Sequence, residues 1–337
     1  MIMKKHALTL LIVGMVLITV TLGCGGTKSE PDWTKSKRIA GKDKGLSHVS
    51  GFVVDDKFAY VIIGGTIADQ KEGHSGLRRV DLETGDVTSI DDGKNIPQSE
   101  NGGIAQDDKF VYWNAAGKIW RAAKSGGVPE AIIGENVGIG IDMFVDNEKV
   151  YWMNHGYYVS GQPSTPKPLY SAPKAGGSSE IFADNQMIPH GLAVDEKFVY
   201  WHTSTALMKQ PRSGGSAQAV YTLPDGAGLD ELAQDADSLY FGYRAKGDSR
   251  WALQKISKQG GEPTTLVKRF SLHPIVIDDR SVYFFDEGSL TSNSLCRVAK
   301  TGGEVTILDS GYASGAIALG AANVYFASLD DIYSISK

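Results

Sequence analysis

The sequence predicts an all-β fold, a seven-bladed β-propeller of four-stranded antiparallel blades. Two observations predict it: a motif of the form Asp-x-x-x-apolar-Tyr-aromatic recurs along the chain, and its copies are nearly evenly spaced. The tyrosines of the successive copies are Tyr60, Tyr112, Tyr151, Tyr200, Tyr240, Tyr283 and Tyr325, separated by 39 to 52 residues. A repeat of about 40–45 residues made of short strands is typical of a propeller blade.

The fourth repeat shows how one blade is built. Residues 191–194, 198–201, 207–211 and 217–221 form four short segments rich in apolar, aromatic and β-branched residues, which favour strands. Asp195 opens the turn between the first two segments, where an aspartate can accept hydrogen bonds from its own backbone. The remaining repeats follow the same order, so each repeat predicts one blade.

A second motif, Lys-x-Gly-Gly, follows the third predicted strand of several repeats. Its lysines are Lys124, Lys174, Lys258 and Lys300. Glycine adopts positive φ without steric cost, which tight hairpins require. Because these turns recur in blade after blade and open no helix, we interpret them as structural turns and not as phosphate-binding loops.

The Tyr-Trp pairs of the first motif admit two interpretations. They resemble a stacking platform for sugars, but adjacent residues on a strand point to opposite faces of the sheet. We therefore expect the two rings to pack against the preceding and the following blade, as part of the core.

The two ends of the repeat region predict how the ring closes. The seventh repeat stops at Lys337, after its third strand, and therefore lacks a fourth. An unpaired strand edge would be a template for aggregation. Residues 33–40 precede the first repeat and have no other blade to join, so we expect them to supply the fourth strand of the last blade.

The chain begins with features of export and lipid anchoring. Lys4 and Lys5 precede an apolar run, and the run ends at Cys24, which predicts a signal peptide over residues 1–23 and lipidation of Cys24. An ordinary signal peptide with an incidental cysteine is the alternative. Residues 24–32 then form a polar tether, and residues 33–337 the propeller. Gly25 is not the aspartate linked to inner-membrane retention, so the outer membrane is favoured if the source is Gram-negative.

Net charge and the number of cysteines restrict the partners and the chemistry that we expect. The formal net charge of −5 becomes −7 when Lys4 and Lys5 leave with the signal peptide, which argues against nucleic acid as a partner. We expect contact with a membrane through the lipid anchor only. If Cys24 carries lipid, Cys296 has no disulfide partner and is expected to be a buried, unreactive thiol.

Candidate functional residues lie where loops precede the innermost strands, at the expected mouth of the central channel. Five residues before the motif aspartate, the successive repeats carry Ser50, Gly102, Ile141, His190, Asp230, His273 and Gly315. Further polar residues are expected on the same face: His202, Glu231, Tyr243, Arg244, Asp286 and Glu287. These residues fit a partial metal shell, a polar ligand pocket or a solvated rim without a shared task. We expect His190, Asp230 and His273 to share the mouth but to lie too far apart for one metal ion.

The combined repeat, Asp-x-x-x-Val-Tyr-Trp followed by Lys-x-Gly-Gly, resembles the YWTD-type propellers of lipoprotein receptors. It is also similar to repeats of bacterial envelope lipoproteins of the myxobacterial kind, over roughly residues 47 to 337. The Thr-Asp half of the YWTD motif is absent, since Trp113 is followed by Asn114 and Trp201 by His202. The resemblance therefore implies the fold and an envelope location, but no receptor role and no catalytic residues.

Together these features favour a non-catalytic binding or scaffold lipoprotein of the bacterial cell envelope. Its partner at the mouth would be an envelope protein, a peptide or a glycan, and no cofactor is required, although a divalent metal fits the candidate residues. The sequence contains no Gly-x-Ser-x-Gly, His-Glu-x-x-His, Cys-x-x-Cys or Walker motif. Two alternatives remain: a metal-assisted lyase or hydrolase with a His/Asp/His site at the mouth, and a structural part of an envelope assembly.

Overall fold

A computed structural model of the chain describes residues 35–64, 76–91, 103–138, 141–154, 165–286, 293–312 and 315–337. The described residues belong to one compact unit. The predicted signal peptide, Cys24 and the tether lie outside the described residues, as do Gly102 and Glu287. In the described parts of the chain, no helix has the length and apolar character needed to span a membrane.

The unit consists of seven sheets of four antiparallel strands each, which confirms the predicted fold class. Seven strands form the innermost position: β2 (Val49–Val54), β6 (Ile104–Gln106), β10 (Ile141–Val145), β14 (His190–Val194), β18 (Gly228–Gln234), β22 (Ile275–Ile277) and β26 (Ile317–Leu319). Each innermost strand contacts those of the two adjacent blades, and β2 contacts β26, so the ring is closed.

The second and third positions carry the aromatic motif and its hairpin partner. The second strands are β3 (Phe58–Ile63), β7 (Phe110–Ala115), β11 (Lys149–Asn154), β15 (Phe198–His202), β19 (Ser238–Arg244), β23 (Ser281–Asp286) and β27 (Asn323–Ser328). The third strands are β4 (Gly76–Asp81), β8 (Lys118–Ala123), β12 (Lys167–Pro173), β16 (Ala206–Pro211), β20 (Trp251–Ser257), β24 (Asn293–Ala299) and β28 (Asp331–Ser336).

The outermost position shows how the ring closes. Six blades use β5 (Val87–Ser89), β9 (Glu130–Ile133), β13 (Glu180–Gln186), β17 (Gln218–Thr222), β21 (Thr264–Arg269) and β25 (Thr306–Tyr312). In the seventh blade, β1 (Lys37–Ala40) pairs antiparallel with β28, as the sequence predicted. A 3-10 turn, Lys42–Lys44, then leads to the first blade.

The closing strand is also tied to the blade before it. The buried carboxylate of Asp309, on β25, accepts hydrogen bonds from the backbone N–H groups of Lys35 at 3.0 Å and Ser36 at 2.8 Å. The hydroxyl of Tyr312 donates to the same oxygen. Asp309 therefore fixes the entry of the N-terminal strand.

The core consists of seven apolar clusters, one between each pair of adjacent blades. In the second blade, Tyr112 packs in a cluster with Trp152 of the third blade. The adjacent Trp113 packs in a cluster with Tyr60 of the first. All of these rings are at most 1 % exposed, so the Tyr-Trp pairs are core residues and not a sugar-stacking platform.

The two sequence motifs meet in a contact that joins adjacent blades. Asp107 Oδ1 accepts from the N–H groups of Lys109 and Phe110, while Oδ2 accepts from the Tyr112 hydroxyl and from Lys174 Nζ of the next blade, all at 2.8 Å. Five further ion pairs join an aspartate to a lysine or arginine of the next blade: Asp55–Lys124, Asp146–Arg212, Asp195–Lys258, Asp235–Lys300 and Asp278–Lys337. The lysine of the Lys-x-Gly-Gly turn is thus the blade-to-blade contact, a role that the sequence interpretation missed.

These ion pairs contribute to lowering the pKa of Asp107 and Asp278. Burial raises the pKa of Asp107, but hydrogen bonds from Lys174 and from the backbone outweigh it and hold the value at about 2. Asp278 has a pKa of about 2 in the same surroundings. Burial and the neighbouring carboxylate raise the pKa of Tyr112 above its usual range. Asp107 and Asp278 are therefore ionised in the folded protein at neutral pH.

Candidate functional site

The mouth face is the face on which chain segments enter the innermost strands and on which the second strands turn into the third. Most of the described residues singled out by the sequence lie on it between the fourth and sixth blades. His190 begins β14, Asp230 lies in β18, and His273 precedes β22. His202 ends β15 and Arg244 ends β19.

His190 and His202 form a stacked pair across the first hairpin of the fourth blade. The two residues are register partners, and their ring centroids lie 5.8 Å apart with an interplanar angle of 21°. His202 is buried. Gly191 makes the close packing possible, because its φ is +60° and a Cβ would lie 3.0 Å from His202 Cδ2. Its N–H donates to Asp142 Oδ2 of the third blade at 2.7 Å, which fixes this corner.

A cavity of about 320 Å³ opens beside this pair. Its lining combines imidazole, hydroxyl and carboxylate groups with apolar residues: Ile188, His190, His202, Thr203, Ser204, Ala227, Gly228, Leu229 and Asp230. Several hydrogen-bond donors and acceptors converging in one small recess are typical of a site for a polar ligand.

Asp230, Glu231 and His273 form a second group next to the cavity. One ligand atom from each of the three lies within 4.8 Å of the others. Glu231 Oε1 contacts His273 Nδ1, and Glu231 Oε2 accepts from the N–H of Ile275 at 3.4 Å. Asp230 belongs to both the cavity and this group, so the two features are continuous.

A β-bulge brings the two adjacent carboxylates together. Consecutive residues on a regular strand point to opposite faces, but the pairing of β18 with β19 shifts between Asp230 and Ala233. Glu231 has a φ of +51°, in the left-handed region that favours glycine. The equivalent residue of the fourth blade is Gly191, with φ +60°. A glutamate therefore occupies a backbone position that the neighbouring blade fills with glycine.

The surroundings of Asp230 favour its neutral form. Burial is the main cause of the raised pKa of Asp230, and the Glu231 carboxylate adds to it. Nearby His273 and Arg244 act in the opposite direction without cancelling the rise.

Two other predicted site residues make contacts outside this group. The Arg244 guanidinium lies over the ring of Trp251, 4.7 Å from its centroid. Asp286 forms an ion pair with Arg269 of the adjacent blade, with 3.1 Å between Nε and Oδ2. Both residues remain on the mouth face, but neither belongs to the Asp230–Glu231–His273 group.

The structure brings two of the three leading candidates together. A ligand atom of Asp230 and one of His273 lie within 4.8 Å of each other. His190 is not a member of that group. Glu231 takes its place, and the sequence had marked it only as a nearby residue. Regular strand alternation would point Glu231 away from Asp230, so its membership of the group was not predicted. The bulge that turns its side chain toward Asp230 is not visible in the residue pattern.

Larger recesses occur on the opposite face but do not form a specialised site. One of about 640 Å³ lies between the fourth and fifth blades, around Asp195 and Lys258, and one of about 440 Å³ lies around Asp107 and Lys174. Both recesses surround inter-blade ion pairs, at equivalent positions of different blades. We assign them to the architecture of the ring.

No protein family profile and no curated protein matches this chain. Solved structures do match. Oligogalacturonate lyase from Vibrio parahaemolyticus aligns with a TM-score of 0.69 at 11% identity, covering 89% of this chain and 92% of that chain. An oligogalacturonate lyase in complex with manganese gives 0.64 at 11% identity, covering 89% and 92%. Puromycin hydrolase gives 0.64 at 11% identity, covering 86% of this chain and 52% of that chain. At such identities these similarities show the propeller fold alone.

Proposed function

We propose that the protein is a non-catalytic binding propeller of the bacterial cell envelope that recognises a polar, hydroxyl-rich ligand at the mouth of its channel. The observation that carries this proposal is the cavity lined by His190, His202, Thr203, Ser204 and Asp230. Imidazoles, hydroxyls and a carboxylate provide both donors and acceptors, which sugar hydroxyls require.

Charge and regularity also support a glycan over an acidic partner. Asp230 lines the cavity and Glu231 lies next to Asp230, so two acidic side chains disfavour an anionic group there in the absence of a bound cation. The opposite face carries the repeated ion pairs of the architecture, whereas the mouth face differs from blade to blade. Variation on one face of a regular scaffold is typical of a binding surface.

The cellular location belongs to the same proposal. A signal peptide over residues 1–23, a lipid on Cys24 and a tether over residues 24–32 would hold the propeller at a membrane through the anchor alone. The YWTD-like repeats, similar to those of envelope lipoproteins, support this location, and the outer membrane is favoured in a Gram-negative source.

The proposal is tested by measuring binding of envelope glycans to the protein by titration calorimetry. We expect His190→Ala to weaken the binding of the recognised glycan at least 10-fold, because it removes one wall of the cavity. Glu196→Ala, on the exposed opposite face, is the control and should bind as the parent does. Equal binding by the His190→Ala variant would contradict the proposed site.

A metal-assisted lyase or hydrolase is the second candidate, and the Asp230–Glu231–His273 group is the observation that favours it. The matching structures include a lyase in complex with manganese and a hydrolase, although they share only the fold. Incubation of the protein and Mn²⁺ with acidic oligosaccharides, followed for unsaturated or shortened products, tests this candidate. Turnover that is lost in Glu231→Gln would favour the enzyme over the binding module.

A further inference from the structure

We propose that Asp230, Glu231 and His273 bind one divalent first-row transition-metal ion, Mn²⁺ or Zn²⁺, and present it to the adjacent cavity. The inference rests on the proposed function in one respect: the ion would face the ligand cavity, because Asp230 belongs to both sites. Binding of the ion itself does not require that ligand.

The distances allow a shared ion without a rearrangement of the backbone. Ligand atoms at about 2.0–2.2 Å from a zinc ion lie roughly 3 to 4.4 Å from one another, depending on the angle between the bonds. The three candidate atoms lie within 4.8 Å. Rotations of the side chains are therefore enough to close the site, and the Glu231–His273 contact already holds two of the three in place.

The donor set selects the kind of ion. Two carboxylates and one imidazole suit Mn²⁺ and Zn²⁺, whereas Ca²⁺ prefers a shell made of oxygen alone. Three protein ligands leave at least one coordination position for water or an added ligand, as in open metal sites. His273 is 61 % exposed and Glu231 21 % exposed, so the ion would be reached from the mouth.

The charge balance of the site also favours a cation. Six motif aspartates of this protein are paired with a lysine or arginine of the next blade. In the part of the chain that the structure describes, Asp230 and Glu231 form no such pair with lysine or arginine, and Glu231 contacts the imidazole of His273. Two adjacent carboxylates without a full counter-charge attract a divalent ion.

The backbone at Glu231 supplies an independent reason. A non-glycine residue at positive φ is strained, and such strain persists where the surrounding structure maintains it. The fourth blade avoids this strain with Gly191, whereas the fifth retains a glutamate. A structural role is the competing explanation, because Glu231 accepts from Ile275 N–H much as Asp142 accepts from Gly191 N–H.

Glu231→Gly separates the two explanations, because glycine fits the backbone while the carboxylate is lost. Binding of Mn²⁺ to the metal-stripped protein is measured by the loss of the free-ion EPR signal, and Zn²⁺ is then added as a competitor. We expect one Mn²⁺ per chain with a micromolar Kd, displacement by Zn²⁺, and binding weakened at least 10-fold in both Glu231→Gly and His273→Gln. His190→Gln is the control and should keep parental affinity.

Thermal unfolding with and without MnCl2 completes the test. Mn²⁺ should raise the Tm of the parent but not that of Glu231→Gly, and the metal-free Tm of this variant should equal or exceed the parental value. No saturable Mn²⁺ binding by the parent up to roughly 1 mM would overturn the proposal. So would parental affinity in the Glu231→Gly variant, or a lowered metal-free Tm in it without any effect of Mn²⁺. Loss of glycan binding in His190→Gln with Mn²⁺ binding intact would show that the glycan site and the metal site can be disrupted independently, as proposed.

Discussion

Replacing Asp107 by asparagine tests whether the inter-blade ion pair stabilises the ring. Asparagine keeps an oxygen for the N–H groups of Lys109 and Phe110 but places a neutral amide against Lys174 and the Tyr112 hydroxyl. The pKa of Asp107 falls from 3.8 to about 2 on folding. A shift of this size corresponds to about 2 kcal/mol of stabilisation at neutral pH.

Solvent screening reduces this value only modestly, since the side chains of Asp107 and Lys174 are 16 % and 27 % exposed. We therefore expect Asp107→Asn to lower the free energy of unfolding by about 2 kcal/mol, seen as a lower urea midpoint with an unchanged slope. The matched control is Asp108→Asn, the adjacent and exposed aspartate of the same turn, which should change it by less than about 0.5 kcal/mol.

The pH dependence provides a second, independent test of the same pair. The folded pKa of Asp107 is depressed, so its stabilisation is complete above the unfolded value near 3.8 and is lost as the pH falls through about 2. The difference in the free energy of unfolding between the parent and Asp107→Asn should stay constant from pH 7 to about pH 5. It should become small below pH 2. A difference that is constant over this range, or an equal loss in the Asp108→Asn control, would refute the assignment.

Two further sets of outcomes follow from the structure, and a third follows from the sequence. Removing residues 35–40 should expose the edge of the last blade and cause aggregation, and Asp309→Ala should weaken the same closure by about 1–3 kcal/mol in urea unfolding. Gly191→Ala should cost about 1–3 kcal/mol, because of its φ and the close approach of His202, whereas Gly134→Ala, with open space around it, should be nearly neutral in the same assay. Cys24→Ala should leave the protein unprocessed or released from the membrane fraction. Mature protein that stays in that fraction would contradict lipid anchoring.

The sequence predicted the blades because their determinants are local and repeated. Each strand pair is specified by an aspartate turn, an aromatic strand and a glycine turn that lie within one repeat. The contact between Asp107 and Lys174 was missed because the two residues are 67 positions apart and belong to different repeats. The signal was the recurrence of such pairs, because in all six an aspartate precedes its basic partner by 59 to 69 residues. At the junction of the seventh and first blades both members change together, since Gly320 replaces the aspartate and Leu82 the lysine.

The candidate site could be predicted only in part, because it depends on departures from the repeat. His190, Asp230 and His273 were found since they occupy one repeat position that is small or apolar in other blades. Glu231 joins Asp230 only through the bulge in β18, and alternation along a regular strand would have placed it on the other face. Asp286 was expected at the site but is committed to an ion pair with Arg269.

The distribution of these departures links the fold to its proposed role. The ion pairs on the face opposite the mouth use the same residue types in blade after blade, so that face contributes to closure and stability. On the mouth face, the residues that break the repeat pattern cluster in three consecutive blades and include a glutamate at positive φ. Glu231 destabilises the fold through its positive φ, and the adjacent blade has glycine at the equivalent position. Retention of a glutamate there indicates a compensating interaction. The proposed recognition at the cavity, with the proposed cation beside it, would provide such an interaction while the regular face maintains the ring.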